Sequence, residues 1–153
     1  MSLVQELSRV VHKKRYDNIT FSINGIPIIT VNLLKDEKVI ILVNNMNELR
    51  YYELHYGGDT DKFASEVSDV LVYSGVDSII RKMRGSSIRF YGDPYLEGEV
   101  MEGKLIISQG EVDLDEEDGE VVRSDKHEIA MAVGLTGVTI SKIITAFALQ
   151  YYT

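Results

Sequence analysis

Residues 18–56 read NITFSINGIPIITVNLLKDEKVIILVNNMNELRYYELHY, and the periodicity of this stretch decides the fold class. Ile19, Phe21 and Ile23 alternate with Thr20 and Ser22, the period of a half-buried strand. Asn24-Gly25 follows, a pair suited to the positive φ angles of a tight hairpin turn. The strand pattern resumes from Ile26 to Leu34. Pro27 has no backbone donor, so its place near the start of this second strand favours a sheet edge. Lys35-Asp36-Glu37-Lys38 is a polar turn. Val39 to Val43 is apolar at every position, which predicts a central strand with cover on both faces, or cover on one face and a partner on the other. Asn44-Asn45 turns the chain again, and Leu49 to Tyr56 reads as a fourth strand. Four consecutive strands on short turns make an antiparallel meander.

Helical periods flank this block. Leu3, Val4, Leu7, Val10 and Val11 share one face, with Glu6, Arg9, Lys13 and Lys14 on the other, so residues 3–15 predict an amphipathic helix. After Gly57-Gly58, the run Asp59-Thr60-Asp61 offers N-cap chemistry. Phe63, Val67, Val70 and Leu71 then form a stripe that resumes at Val76, Ile79, Ile80 and Met83. Gly75 lies between, so this is two helices, one kinked helix, or a continuous helix over 60–84 at a cost of about 1 kcal/mol for the glycine. Strand signals return at 88–91, 96–101 and 104–108, with a short one at 120–122. Asp125 and Glu128 have capping-box spacing for a last helix running to about Tyr151.

The fold class read from these elements is α+β. It comprises an antiparallel sheet of about 6–8 strands in two meander blocks, an N-terminal helix, one or two middle helices, and a long apolar C-terminal helix packed on the sheet. The 153 residues contain 2 prolines and no Pro/Gly/Ser-rich linker, so residues 1–153 read as a single domain.

Composition narrows the classes of function. There is no cysteine, which excludes disulfides, thiolate nucleophiles and cysteine-based metal sites. Gln5, Glu6 and Arg9 interrupt the first apolar stretch, so it does not read as a secretory leader. The chain is expected to be soluble and cytoplasmic. A formal net charge of -8 repels polyanions and argues against nucleic acid and anionic membranes as partners. The lack of Cys and Trp beside plentiful Ile, Val, Lys and Glu would suit a thermophile.

The most unusual stretch is the last one. Between Ile129 and Tyr152 the sole formal charge is Lys142, and apolar residues point all round the helix. Such a helix is buried in its own core, covered by another copy of the chain, or inserted in a membrane. Lys142 at its centre, with Thr136, Thr139, Ser141 and Thr145, argues against a lipid-facing span. The reading leans towards cover by a second copy, hence a homodimer.

Candidate sites are sparse. Tyr51, Tyr52, Tyr56, Tyr91, Tyr95, Tyr151 and Tyr152 would rim a ligand pocket or a protein interface if strand four, the 91–95 turn and the C-terminus converge. Lys13, Lys14 and Arg15 close the first helix, and Arg81, Lys82 and Arg84 close the middle one. Cations at helix C-termini complement the macrodipole; a joint basic patch needs the two sets to meet. His12, His55 and His127 lie far apart and make no zinc pattern. The acidic run Asp113 to Glu120 fails the calcium-loop register, since Asp118 stands where glycine is needed. No metal, cofactor or catalytic residue is assigned. His55, Asp59, Asp61 and Asp93 are the acid/base candidates an enzyme of unknown class would use.

The run Val100-Met101-Glu102-Gly103-Lys104-Leu105-Ile106-Ile107 resembles a stretch of sterol-carrier-type domains, while the acidic segment after it departs from that family. The resemblance covers eight residues and implies a carrier of a small apolar ligand, held between the sheet and the last helix. The first reading is a different one: a non-catalytic interaction module that self-associates or binds a protein partner, through the apolar C-terminal helix or an exposed strand.

Overall fold

The computed structural model describes residues 2–11, 15–82, 88–93, 96–101, 104–107, 121–123, 128–131 and 137–153. Ser2 opens the first helix, α1 (Leu3–Val11). Its Oγ accepts from the Gln5 amide while Gln5 Oε1 accepts from the Ser2 amide, a reciprocal cap. Leu3, Val4 and Leu7 are buried on its inner face.

Residues 18–55 form the meander that their period predicts: β1 (Asn18–Ile23), β2 (Ile26–Leu33), β3 (Lys38–Asn44) and β4 (Leu49–His55), each antiparallel to the next. Asn24 and Gly25 have φ of 51° and 79°, so the β1–β2 turn uses the left-handed region at both positions. Ile19, Phe21, Ile29, Val31, Val39, Ile41 and Val43 lie on one face and are fully buried. On the other face of β3, Leu42 is 40% exposed. Ile40 on that same face is 7% exposed, so the apolar run belongs to a strand covered fully on one side and in part on the other.

Pro27 is not at a sheet edge, because β2 lies between β1 and β3. The register of β1 and β2 shifts between Phe21 and Ser22, leaving Ile28 as an extra residue, and Pro27 lies just beyond that bulge. The β2–β3 ladder begins only at Ile29, so the missing donor interrupts nothing. Asn44 Nδ2 donates to the Pro27 carbonyl at 3.2 Å instead.

Asp59 caps α2 (Thr60–Tyr73), its carboxylate accepting from the Lys62 amide at 3.1 Å. Gly75 follows with φ of 88°, a conformation no helix continues, and α3 (Val76–Lys82) starts anew. The middle segment is thus two helices. Asn45 anchors their junction to the sheet: its Nδ2 donates to the Ser74 carbonyl at 2.7 Å, and its Oδ1 accepts from the Asn47 and Glu48 amides.

The second block joins the first through β5 (Ile88–Asp93), which pairs with β1. With β6 (Leu96–Met101), β7 (Lys104–Ile107), β8 (Val121–Arg123) and β9 (Glu128–Met131), the described strands make one antiparallel sheet in the order β4-β3-β2-β1-β5-β6-β7-β9-β8. Nine strands exceed the six to eight expected, and β9 lies between β7 and β8, so the second block is not a simple meander. The additional strand stands where the sequence predicts the start of the last helix. A short run such as Ile129-Ala130-Met131 fits a strand or a buried helix equally by periodicity, and its pairing with β7 decides. The proposed cap residue Asp125 lies outside the described residues.

The last helix, α4, consequently spans Gly137–Tyr152, 16 residues or about 24 Å. Among the described residues no helix is long and apolar enough to cross a membrane. Ten of the 16 residues are buried, and this chain itself supplies their cover. α4 packs against both α1 and α2. Its Phe147 ring meets Tyr16 at 5.7 Å and Phe90 of β5 at 6.3 Å, both edge to face. The hydroxyls are satisfied locally. Ser141 Oγ donates to the Gly137 carbonyl at 2.7 Å and accepts from Ser68 Oγ of α2 at 2.8 Å, and Thr145 Oγ1 donates to the Ser141 carbonyl. Gly137 lies against Asp77 of α3, where a Cβ would overlap the carboxylate. The helix is therefore a core element, and the expectation that a second copy covers it is corrected.

Candidate functional site

The tyrosines converge only in part. Tyr56 stacks on Tyr152 at 5.4 Å and meets Phe63 edge to face at 5.3 Å, and Tyr151 abuts Tyr152 at 5.0 Å. Tyr52 is half-buried on the inner face of β4, whereas Tyr51 is on the outer face. The side chain of Tyr91 and all of Tyr95 lie outside the described residues. Tyr152 is the residue that organises this corner. Its hydroxyl donates towards the carbonyls of Leu34 at 2.7 Å and Lys38 at 3.1 Å. The turn so held is strained, since Asp36 and Glu37 have φ of 61° and 57°. Glu37 strengthens the tie: its carbonyl accepts from the Tyr56 amide, and its carboxylate from the Gly57 amide at 2.9 Å. The cluster clamps the β2–β3 turn to the end of the chain.

Burial first, and then the neighbouring Tyr151, push the Tyr152 hydroxyl up to about 12 from an ordinary 10.0. The folded state thus favours the neutral phenol. Its contribution to stability is present in full below pH 10 and is lost as the pH rises through about 12. Urea denaturation is expected to show stability falling across this window, with a shallower fall in Tyr152→Phe.

The two basic sets are not brought together by the residues described. Arg15 Nη2 donates to the carbonyl of Thr153, beyond the C-terminal end of α4. Arg81 pairs with Asp77 at 2.9 Å, and Asp77 lies against Gly137 at the opposite end of that helix. About 24 Å of helix separates them. Lys82 is exposed, and Lys13, Lys14 and Arg84 lie outside the described residues.

The acid/base candidates are at the surface, engaged elsewhere or outside the described residues. His55 is 71% exposed and 4.0 Å from Glu37, and Asp59 is occupied as a helix cap. Asp61 is exposed, and the Asp93 side chain lies outside the described residues, as do His12, His127 and the acidic run 113–120. Among the described residues no group of three or more His, Asp or Glu is placed to hold a metal ion.

What the structure offers instead is an edge. β4 ends the strand order, with β3 on one side and no described strand on the other. The Tyr56 amide donates to the Glu37 carbonyl and the Asn45 amide to the Glu48 carbonyl, so the even-numbered residues of β4 bond to β3. The backbone groups of Leu49, Tyr51, Glu53 and His55 consequently point outward. Apolar side chains flank this edge. Leu49 (75% exposed), Tyr51 (59%) and Leu42 lie on the outer face. On the other flank Arg50 Nη1 donates to the Tyr73 carbonyl at 3.3 Å, bringing Tyr73 (76% exposed) beside the edge. An uncapped edge with apolar flanks is a ready template for another strand.

No protein-family model, curated protein or solved structure matches the chain.

Proposed function

We propose that this protein is a non-catalytic interaction module that self-associates through the edge strand β4, a cytoplasmic homodimer or a partner-binding domain of that kind. The observation that carries the reading is the outward backbone of Leu49, Tyr51, Glu53 and His55, framed by exposed Leu42, Leu49, Tyr51 and Tyr73. Natural sheets blunt exposed edges with charge, proline or a covering element. β4 has no proline, and its charges alternate with aromatic and aliphatic residues. Strand addition supplies main-chain hydrogen bonds for affinity, while flanking side chains set the choice of partner. The absence of cysteine suits a reducing compartment.

The carrier reading ranks second. Where a ligand would lie between sheet and last helix, the rings of Phe21, Phe90 and Phe147 touch in series. Amide hydrogen exchange tests the association directly: the outward amides of β4 are expected to be protected at high protein concentration and to lose protection on dilution. Equal exchange at all concentrations would remove self-association through β4.

A further inference from the structure

Taking β4 as the association edge, we infer that its partner is the β4 strand of a second copy, paired antiparallel about a two-fold axis at Tyr52. Two identical edges join antiparallel, with their buried faces on the same side, when the axis stands normal to the sheet. The outward groups must then meet outward groups, which pairs odd-numbered residues of one copy with odd-numbered residues of the other. All seven residues of the strand are centres that obey that rule; those at Leu49, Leu54 and His55 pair three residues of the strand or fewer, and the other four are separated by their side chains. Centring on Arg50 sets two guanidinium groups opposite each other, and centring on Glu53 sets two carboxylates opposite, both destabilising. Centring on Tyr51 leaves Leu54 and His55 without partners. Centring on Tyr52 pairs all seven residues.

In this register Tyr51 faces Glu53 of the second copy, Leu49 faces His55, and Arg50 faces Leu54, so no like charges are directly opposed. Tyr51–Glu53 and Leu49–His55 are the hydrogen-bonded pairs, and Tyr52 meets Tyr52 at a non-hydrogen-bonded position. Lys38 holds Glu53 at 3.0 Å within each chain and offsets the carboxylate charge near the junction. The exposed Leu42, Leu49 and Tyr51 of the two copies become one continuous outer face.

The chain contains no cysteine, so introduced thiols report without background. Tyr51→Cys and Glu53→Cys each change an exposed position. Mixed and oxidised, the two proteins are expected to form a disulfide-linked heterodimer at least about tenfold faster than either alone, because residues 51 and 53 lie about 5.5 Å apart across the pair. Tyr52→Cys, which leaves Tyr51 in place, is expected to link to itself. If Tyr51→Cys links to itself as fast as the mixture does, the register is overturned while association through β4 stands. If the outward amides are protected but none of these thiols links, the copies are not antiparallel about Tyr52. Unlinked thiols together with unprotected amides would remove both the register and the association it rests on.

Discussion

Phe147→Ala is expected to lower the free energy of unfolding by about 3–5 kcal/mol, the usual loss for emptying a buried aromatic position. Phe147 is 1% exposed and lies at the meeting point of three parts of the fold. Its ring contacts Tyr16, which follows α1, and Phe90 of β5, while its backbone belongs to α4. Truncation leaves a cavity between helix and sheet that close-packed neighbours fill only partly. The control is Val138→Ala on the same helix. Val138 is 55% exposed, so its truncation is expected to cost well under about 1 kcal/mol. Urea denaturation monitored by circular dichroism separates the two variants. Equal, small losses would show that α4 is not seated on the sheet as described.

The second large effect concerns association. Tyr51→Glu replaces an exposed aromatic side chain at the edge with a carboxylate. In the pairing about Tyr52 it faces Glu53 of the second copy, and the two-fold axis makes this happen twice. Loss of an interfacial tyrosine commonly costs more than about 1 kcal/mol, and directly opposed like charges add to the loss. The dissociation constant is expected to rise at least about tenfold, measured by light scattering over a dilution series. Tyr51→Lys, which faces Glu53 of the second copy with the opposite charge, is expected to weaken association less than Tyr51→Glu does. An unchanged dissociation constant in Tyr51→Glu would place the contact away from this edge.

Local chemistry explains which features were legible in the sequence. The β1–β4 meander follows from alternation between Ile19 and Tyr56 and from Asn24-Gly25, whose conformational freedom the turn requires. Asp59 and Gly75 marked the start of α2 and the break before α3. Non-local facts were not legible. Pro27 suggested an edge because nothing near it reveals the bulge that removes the need for its donor. Ile129-Ala130-Met131 carries too few residues for its period to choose between helix and strand, and only pairing with β7 does so. An all-round apolar α4 demanded cover, but the pattern could not say that α1, α2 and the sheet of the same chain provide it.

The candidate site was legible in the same uneven way. Tyr51 and Tyr52 stood out as aromatic neighbours, yet alternation puts them on opposite faces, and only the strand order makes β4 an edge. Tyr152 stands out as one of several tyrosines, but its particular role depends on the carbonyls of Leu34 and Lys38, more than a hundred residues away in the chain.

The most direct measurement is residue-resolved amide exchange along β4 at high and low protein concentration. The amides of Arg50, Tyr52 and Leu54 bond to β3 and should be protected at both, serving as the internal control. Association through β4 predicts that Tyr51, Glu53 and His55 are protected at high concentration and exchange freely on dilution. Free exchange of these three amides at every concentration, with the control amides still protected, would contradict it.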